Sequence, residues 1–596
     1  MELSYKRNAK IISRKFYQYL IPTVLMLLAM QLGSLADSII VGNLLGEDFL
    51  TATSLGLPVV FFVEIPAMMI ATGAAIVGAN YIGKRMIKEA SQVFKLACFL
   101  AVVVSLIFTP IAIFAGNSIG ALFAGEFPQF APYITQYIQV YAYQAPVIAL
   151  AIVVAYFLPS DNSPTLGALV IIAGNVVHLA AEVLFSLFVD KSIVMYFVAG
   201  SMGIGMLAGC LMLVPYGFSK HRTIDLRIRF RGSFKFTWEL IRAGSSAGAL
   251  TALSCLYCVV LNLAATSYLS EAEVPVYAML ANFSFVVDLF VLGILQIMPS
   301  VVSALYGEKD YFSVRAVCRK VFVIAMAVTA ALVAISLAFP QLFFYIFGIG
   351  INPVEGVLDP LLVVRVYAIS FAFYVANKYL VTYYPSILVN SPALFSNVIR
   401  IGLIGPLSIY LLMMHTGVIG NAYGVIIMEV ATLLLTIGFV FLGKKLKRLS
   451  GAGLLLLPKQ DVSGAYLDIS IPAKEEEISK AVEELQRFAQ EATGDEKAAA
   501  MLAIASEEII ANAIYYGYSR KTKVEYIDVN VSRNGDRLVI RIRDDGIAFD
   551  PTSVSGEEDG EFRYGGIDVV RRVASDFKYL RVLNTNNTIM EVQINS

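Results

Sequence analysis

The chain has 596 residues, of which 58% are hydrophobic and only 15% are charged, and its formal net charge at pH 7 is zero. Soluble globular domains carry about 25% charged residues, so this composition excludes a simple soluble protein and predicts a polytopic α-helical membrane protein. The neutral balance of charge gives no indication of a nucleic-acid partner.

Twelve apolar runs are long enough to cross about 30 Å of hydrocarbon as helices. The first six lie near residues 17–43, 52–79, 93–115, 133–158, 165–188 and 193–217. The second six lie near residues 241–268, 275–303, 319–346, 361–388, 393–414 and 418–443. The sequence therefore predicts twelve transmembrane helices.

Basic residues are concentrated in alternate connections between these runs, and the other connections are neutral or acidic. The basic segments lie at residues 6–15, 84–88, 222–235, 309–320 and 444–448. Connections rich in Lys and Arg remain on the cytoplasmic side of a membrane. We therefore expect both termini in the cytoplasm, an even number of spans, and a location in the cytoplasmic (inner) membrane of a bacterium.

The two sets of six runs are related by an internal repeat. A shift of 224 residues places Glu64 on Asp288, Gly83 on Gly307, Lys95 on Arg319 and Phe123 on Phe347. A parallel repeat of this kind is typical of two-lobed secondary transporters. We expect two six-helix lobes at about residues 10–220 and 235–445, with a substrate path between them.

Several ionisable residues lie inside the predicted spans, where each costs roughly 2.5–3.5 kcal/mol at a helix centre. The first half has Asp37, Glu64, His178 and Glu182, and the second half has Asp288, Arg365, Lys378, Arg400 and Glu429. Such groups either pair across helices and fix the packing, or they bind a transported ion. The acidic excess of the first half, without an intramembrane Lys or Arg, favours binding of H⁺ or Na⁺.

One set within the first half is the main candidate for a cation site. His178 and Glu182 are four residues apart and therefore share one helix face, where they can share a proton or a cation. Together with Asp37 they form the predicted site. Glu64, Asp288 and Lys378 are secondary intramembrane candidates.

The first span contains LIPTVLMLLAMQLGSLADSIIVGNLLG and the fifth contains IIAGNVVHLAAEVLFSL. These stretches resemble the multidrug and toxic compound extrusion (MATE) family of cation-coupled antiporters, over about residues 10–445. The resemblance implies a V-shaped pair of six-helix bundles that exports organic cations or other amphipathic compounds. It implies that Asp37 is the main carboxylate of the cation site, while His178 stands where the family commonly has Asn and Glu182 where it has Asp. The histidine favours protons, because imidazole titrates near neutral pH.

Beyond the last apolar run, the sequence takes on soluble patterns. Residues 449–463 are a predicted linker between a transporter-like part, 1–448, and a domain at 464–596. In this domain AYLDISIP predicts a strand and KEEEISKAVEELQRFAQEATG an amphipathic helix, and a second helix follows at about 496–516. Two alternating strands then flank a turn at Asn534 and Gly535. The elements predict a soluble α/β two-layer sandwich.

Four short motifs of this domain carry candidate chemistry. Glu508 and Asn512 are four residues apart on one flank of the second helix. Asp544 ends a strand just before Gly546, where the backbone can approach a ligand closely. The remaining motifs are YGGIDVVRRVASD, which opens a helix at Gly565 and Gly566, and NTNNTIMEV, which has Thr588 before the last strand.

In this order the motifs resemble the Bergerat-type (GHKL) ATPase fold of gyrase, Hsp90 and histidine kinases, and most closely the anti-sigma-factor serine kinases. The resemblance implies binding of ATP and Mg²⁺, with Asn512 holding the metal and Glu508 orienting or deprotonating the attacking hydroxyl group. It also implies that Asp544 accepts a hydrogen bond from adenine, which lies against the backbone at Gly546. The residues implied near the phosphates are Gly565, Gly566 and Thr588.

Three functions compete on these observations. The first is an antiporter whose cytoplasmic domain binds ATP and regulates transport or phosphorylates a partner protein. The second is a membrane-tethered serine kinase with a transporter-like receptor, which has less need of intramembrane carboxylates. The third is an ATP-driven pump, which the absence of a GxxxxGK[ST] phosphate loop disfavours. A lipid-linked oligosaccharide flippase, a homodimer through the soluble domain, and an ATPase-like domain that serves only assembly remain alternatives.

Overall fold

The computed structural model describes residues 5–124, 128–218, 222–228, 230, 234–270, 273–346, 359–458, 466–518, 525–553 and 565–594. The chain divides into two compact units. The helical unit is Gln18–Leu456, and the terminal unit combines Met1–Tyr17 with Leu457–Ser596. Residues 347–358, which include most of one predicted neutral or acidic connection, lie outside the described residues, and so does Tyr564, the first residue of the YGGIDVVRRVASD motif.

The first half of the helical unit consists of long apolar helices. They are α1 (Lys10–Ile40), α2 (Glu47–Gly83), α3 (Ile87–Ser105), α4 (Phe108–Ala124), α5 (Ala131–Phe157), α6 (Pro164–Phe188), α7 (Val194–Leu211) and α8 (Val214–Phe218). A one-turn π-helix, Val41–Leu45, continues α1. Large apolar side chains such as Phe114 and Phe188 are exposed on the outer surface, as expected for helices that face lipid.

The second half repeats this arrangement. Its helices are α9 (Phe234–Tyr268), α10 (Val274–Leu295), α11 (Met298–Gly307), α12 (Tyr311–Ala338), α13 (Gln341–Ile346), α14 (Pro360–Ser386), α15 (Ser391–Asn397), α16 (Gly405–Thr416) and α17 (Val418–Lys445). A π-helix, Val398–Ile404, joins α15 to α16. A π-helical turn of this kind within an α-helix is frequent at functional sites.

The number of spans follows from helix length and composition. Among the described residues, 13 helices are long and apolar enough to cross a membrane. One of these, Glu496–Tyr516, packs against the sheet of the terminal unit and buries its apolar face there. The other twelve lie between Lys10 and Lys445, in agreement with the sequence prediction.

The two halves meet through small residues at matching positions of the repeat. A Cβ atom added to Gly83 would overlap the carbonyl oxygen of Ala304, and one added to Gly307 would overlap that of Asn80. Asn80 and Ala304 are themselves separated by the repeat offset of 224 residues. The contact is therefore reciprocal, as expected where a pseudo-twofold axis relates two parallel lobes.

The terminal unit is a two-layer α/β domain. Its elements are β1 (Tyr466–Pro472), α18 (Ile478–Thr493), α19 (Glu496–Tyr516), β2 (Tyr526–Asn534), β3 (Arg537–Asp544), α20 (Gly565–Val573), β4 (Asp576–Val582) and β5 (Thr585–Gln593). The strands form an antiparallel sheet in the order β1-β2-β3-β5-β4. Apolar residues of α18 and α19 pack against one face of this sheet. This architecture confirms the predicted sandwich.

Local details of the terminal unit follow from its sequence. Gly494 ends α18 in the left-handed conformation, with φ +74°, which a glycine adopts without strain. Asn534 pairs with Arg537 across the β2–β3 hairpin, so the two-residue turn starts at Gly535, one residue later than predicted. The side chain of Tyr516, the last residue of α19, is exposed.

Candidate functional sites

The three residues of the predicted cation site come together in the first lobe. Asp37 on α1 and His178 and Glu182 on α6 place one ligand atom each within 4.8 Å of one another. Nε2 of His178 lies 3.6 Å from Oδ1 of Asp37 and 3.9 Å from Oε2 of Glu182. The imidazole nitrogen thus faces two carboxyl groups.

The helices approach closely at this point because of a small residue on α1. Asn175, one turn before His178, donates from Nδ2 to the carbonyl oxygen of Ala29 at 3.0 Å. A Cβ atom added to Gly33 would press against the Asn175 side chain. The glycine therefore lets α1 pack on α6 near the site.

A serine on α7 fixes the orientation of the imidazole ring. Oγ of Ser201 donates to the carbonyl oxygen of Val198 at 2.6 Å, which uses its only hydrogen. The same oxygen lies 2.8 Å from Nδ1 of His178 and must accept from it, so Nδ1 carries a hydrogen. In the neutral ring, the lone pair of Nε2 would then point at two carboxyl groups. Because a lone pair and carboxylate oxygens repel one another, a proton or a cation between them would make this arrangement favourable.

Glu182 is the buried member of the set. Its side chain is 0% exposed, whereas that of Asp37 is 30% exposed. Among the described residues, neither carboxyl oxygen of Glu182 has a hydrogen-bond donor, and Asp37 is close enough to share a proton with it. A buried carboxylate without a donor is costly, so the site favours occupation by a positive charge.

The second lobe has the opposite arrangement, because its buried carboxylate already has a cationic partner. Glu429 on α17 accepts from Arg400 Nε at 2.8 Å and Nη2 at 2.6 Å. Nδ2 of Asn377 donates to the same carboxylate at 2.8 Å. The ion pair is complete and buried, so it stabilises packing and leaves no charge for a transported ion to compensate.

The secondary candidates form tyrosine contacts at corresponding places of the two lobes. Glu64 on α2 accepts from the hydroxyl of Tyr141 at 3.3 Å, and Asp288 on α10 accepts from the hydroxyl of Tyr374. Nζ of Lys378 lies 5.2 Å from the centre of the Tyr374 ring. The structure does not bring these residues into the Asp37 site, and they remain separate intramembrane polar contacts.

In the terminal unit, the residues from two motifs meet at the start of α20. Nδ2 of Asn512 donates to Oε1 of Glu508 at 2.8 Å on the half-buried flank of α19. A Cβ atom added to Gly566 would overlap the carboxyl group of Glu508. The glycine pair that begins α20 therefore lies directly against the Glu508 and Asn512 flank, as a phosphate-binding turn beside a metal-binding side chain would require.

Asp544 is the centre of a second group of contacts, at the end of β3. Its Oδ1 accepts from the Gly546 amide at 2.9 Å and from Nδ2 of Asn586 at 2.8 Å. Burial raises the pKa of Asp544 to about 6, although these two hydrogen bonds act in the opposite direction. Among the described residues, its hydrogen bonds all end on Oδ1, so Oδ2 is available to accept from an exocyclic amine.

The loop after Asp544 is held against the end of α19. The Ile547 amide donates to the Gly517 carbonyl oxygen at 2.8 Å. A Cβ atom added to Gly546 would overlap the same carbonyl group. Gly546 is thus required by the close approach of two backbone segments, which leaves a flat surface beside Asp544.

Asn586 on β5 is a residue of this group that the sequence analysis missed. Its side chain donates to Asp544 and to the Ile547 carbonyl oxygen at 2.9 Å, and accepts from Tyr579 at 2.7 Å and Arg581 at 2.9 Å. All of its hydrogen-bonding capacity is used to position the loop. The signal was present in NTNNTIMEV, but only the pairing of Asp544 with Asn586 across β3 and β5 identifies the relevant asparagine.

The position predicted for Thr588 was wrong. It lies inside β5, opposite Ile542 of β3, and not before the last strand. Because alternate residues of a strand share a face, Thr588 faces the same side as Asn586.

The residues of the terminal unit fit a nucleotide with a divalent cation. Asp544 offers a buried acceptor oxygen, Gly546 offers a side-chain-free surface, and α20 begins with two glycines. Asn512 has a side-chain oxygen, the type of ligand that Mg²⁺ prefers. These features would hold adenine at one end of the site and phosphates at the other.

Comparisons with known proteins agree with this division of the chain. Residues 22–184 match the family model MatE, and residues 471–592 match the model of the histidine kinase-like ATPase domain. None of the curated proteins compared with the chain matches it. The helical unit therefore has a MATE-like transporter fold, and the terminal unit carries an ATPase domain of the GHKL type.

Solved structures support the transporter fold. A MATE crystal structure in the straight conformation has 19% identity and a TM-score of 0.64, covering 74% of this chain and 100% of that chain. A multidrug resistance MATE family transporter of the MOP superfamily, in an outward-facing conformation, has 19% identity and a TM-score of 0.63, covering 75% and 100%. A MOP superfamily transporter from Pyrococcus furiosus, described as having a binding pocket of reverse polarity, has 18% identity and a TM-score of 0.63, covering 74% and 100%. At these identities the likeness shows the fold.

Proposed function

We propose that the chain is a cation-coupled antiporter that exports organic cations or other amphipathic compounds, with H⁺ as its coupling ion. The observation that carries the proposal is the buried Glu182 carboxyl group, which faces Asp37 and the Nε2 lone pair of His178 without a hydrogen-bond donor. A proton on Nε2 of His178 would place a positive charge between the two carboxyl groups. Na⁺ would be held less well, because hard cations prefer oxygen ligands to an imidazole nitrogen.

The geometry suggests how a proton and a cationic substrate could compete. Asp37 is partly exposed and is the member of the set that a substrate or water can reach, whereas Glu182 is closed off. With one proton bound, the set of two carboxyl groups and an imidazole has one negative charge less, so it holds a cationic substrate more weakly. After the proton leaves, two carboxylates attract a cation, and this difference in affinity is what an exchanger requires.

The terminal unit is proposed to bind ATP and Mg²⁺ and to regulate transport or to phosphorylate a partner protein. Bound ATP would supply a transferable γ-phosphoryl group, and the chain's own residues would position it. Asp544 and Gly546 would receive adenine, Asn512 would hold Mg²⁺, and Glu508 would orient an attacking hydroxyl group. The phosphates would lie at Gly565 and Gly566.

The grouping of Met1–Tyr17 with Leu457–Ser596 in one compact unit supports a cytoplasmic location of the ATPase domain. A bilayer would not divide a single compact unit, which supports a location of the amino-terminal segment and the ATPase domain on the same side of the membrane. The basic residues near both ends favour the cytoplasm, where ATP is present. An even number of spans likewise places both ends of the chain on the same side of the membrane.

The transport proposal is tested in proteoliposomes loaded with a cationic dye, under an imposed H⁺ or Na⁺ gradient, with and without internal Mg²⁺-ATP. We expect a proton gradient to drive efflux, and the Glu182→Gln and Asp37→Asn variants to lose most of it, because each removes an intramembrane carboxyl group of the proposed cation site. Asp190→Asn is the matched control, because Asp190 is a surface carboxylate bonded to Ser192. Undiminished proton-driven efflux in Glu182→Gln would show that the site is wrongly assigned.

The same experiment separates the other functions. If neither gradient drives efflux but the chain phosphorylates a protein on serine, the membrane-tethered kinase is correct. If a fluorescent lipid-linked sugar crosses the bilayer while the dye does not, the flippase is correct. Stimulation or inhibition by internal ATP of gradient-driven efflux would support a regulatory terminal unit.

A further inference from the structure

The amino-terminal segment, defined as residues 5–15, is built into the fold of the ATPase domain. Asp468, Ser470 and Asp528 alternate with the core residues of β1 and β2, so they face away from α18 and α19. On that face, Nε of Arg7 lies 3.1 Å from Oδ1 of Asp468, and Nη1 of Arg7 pairs with Asp528. The Arg7 side chain is only 7% exposed. It closes over two carboxylates of the sheet.

Three more residues of the segment bind the same domain. The hydroxyl of Tyr5 donates to Oε2 of Glu477 at 2.6 Å, and the amide of Asn8 donates to Oγ of Ser470 at 3.0 Å. Nζ of Lys10 donates to the hydroxyl of Tyr526 at 2.7 Å. The contacts run along the sheet towards the end where β3 delivers Asp544.

The last contact of the segment reaches the proposed adenine loop. Nη1 of Arg14 lies 2.9 Å from Oδ2 of Asp545, and Arg14 also pairs with Glu525. Lys15 is close enough to interact electrostatically with both Asp544 and Asp545. Asp545 stands between Asp544 and Gly546, and its side chain is only 1% exposed.

The charge of Asp545 is balanced mainly from outside its own loop. Besides Arg14 and Lys15, the hydroxyl of Tyr518 approaches Oδ1 of Asp545 at 3.4 Å. A buried carboxylate that loses its cationic partner is strongly destabilised. The conformation of the loop therefore depends on the position of Arg14, which is itself the fifth residue of α1.

We propose that the amino-terminal segment is a regulatory element of the nucleotide site, in which Arg14 positions the adenine loop through Asp545 and thereby links nucleotide binding to the first helix. The inference rests on the proposed function of the terminal unit. Helix α1 continues without interruption from Lys10 to Ile40 and also carries Asp37. Occupation of the nucleotide site and the disposition of this helix would then influence each other, and such a linkage acts equally in both directions.

The experiment uses the full chain in lipid nanodiscs and a fluorescent ATP analogue with Mg²⁺. The variants are Arg14→Gln, Arg14→Lys and Asp545→Asn, and Lys6→Gln is the matched control because Lys6 is an exposed cation of the same segment. We expect Arg14→Gln to weaken nucleotide binding by roughly tenfold, the effect of removing one partner from a charge-assisted hydrogen bond. Arg14→Lys should lose less, and Lys6→Gln should bind as the parent does.

Two further readouts separate a positioning role from a general loss of structure. In the Asp545→Asn background, Arg14→Gln should weaken binding much less than in the parent, because the ion pair with Asp545 is already absent and only the pair with Glu525 is lost. Bound nucleotide should slow tryptic cleavage after Lys10 in the parent and not in Asp545→Asn. Parent-like affinity of Arg14→Gln, or cleavage that nucleotide leaves unchanged, would overturn the inference. A parent chain that binds no nucleotide would refute the proposed function of the terminal unit itself.

Discussion

Replacement of Asp544 by asparagine should separate binding from stability in the terminal unit. The substitution keeps the shape of the side chain and the Oδ1 acceptor used by Gly546 and Asn586. It replaces Oδ2 with an amide group that donates, so adenine would lose an acceptor and meet a second donor. A hydrogen bond to a charged group contributes about 1.5–3 kcal/mol, which corresponds to a loss in ATP affinity of roughly 10-fold to 100-fold.

The same substitution should not destabilise the fold. The pKa of Asp544 is raised from 3.8 to about 6 by burial, so the ionised form is the less favourable one in the folded state. At about 1.4 kcal/mol for each pKa unit, the difference is about 3 kcal/mol. Because the folded pKa exceeds the unfolded one, this cost is absent below pH 4, develops between pH 4 and 6, and is complete above pH 6. Asparagine removes it, so stability at pH 7.5 should be unchanged or higher.

The assay combines titration of a fluorescent ATP analogue with hydrogen exchange of the β3 and β5 amides in the full chain. We expect weaker binding with equal or slower exchange at pH 7.5. Faster exchange in these strands would mean that Asp544 is a structural residue whose loss disturbs the sheet. Unchanged affinity would refute its assignment to adenine.

Two other predictions concern charge in each unit. The ATP affinity of the parent should fall by about fourfold between pH 7.5 and pH 5.5, because Asp544 becomes protonated over this range. An affinity that does not change with pH in nucleotide titrations would contradict the role of Asp544 as the adenine acceptor. Asp545 and Arg581 are the nearby charged residues that influence the pKa of Asp544. In the second lobe, Arg400→Gln should cost about 3–5 kcal/mol and lower the melting temperature in detergent, because it leaves Glu429 buried and unpaired. An Arg400→Leu, Glu429→Leu double variant should recover most of that loss, and equal melting temperatures for the parent and Arg400→Gln would refute the structural role of the pair.

Much of the architecture was predictable from the sequence because it depends on local chemistry. The length of each apolar run predicts a span, and the 224-residue offset between similar residues predicts the repeat. The reciprocal contacts of Gly83 and Gly307 confirm the repeat. The α/β sandwich followed from alternating and helical periodicities and from Gly494 as a helix end. Thr588 was misplaced because β5 begins with polar residues, Thr585 to Asn587, which give no apolar signal of a strand.

The sequence by itself determined which ionisable residues lie within the apolar spans. It also determined that an ATPase-like domain follows the last span. Only the tertiary structure decided which of those charges are compensated: Glu429 has Arg400, whereas Glu182 meets another carboxyl group and an imidazole nitrogen. It also decided that Asn586 positions Asp544 and that Arg7 and Arg14 bind the ATPase domain. The physical reason is that electrostatic energy depends on distance and burial, and residues hundreds of positions apart acquire both only when the chain has folded.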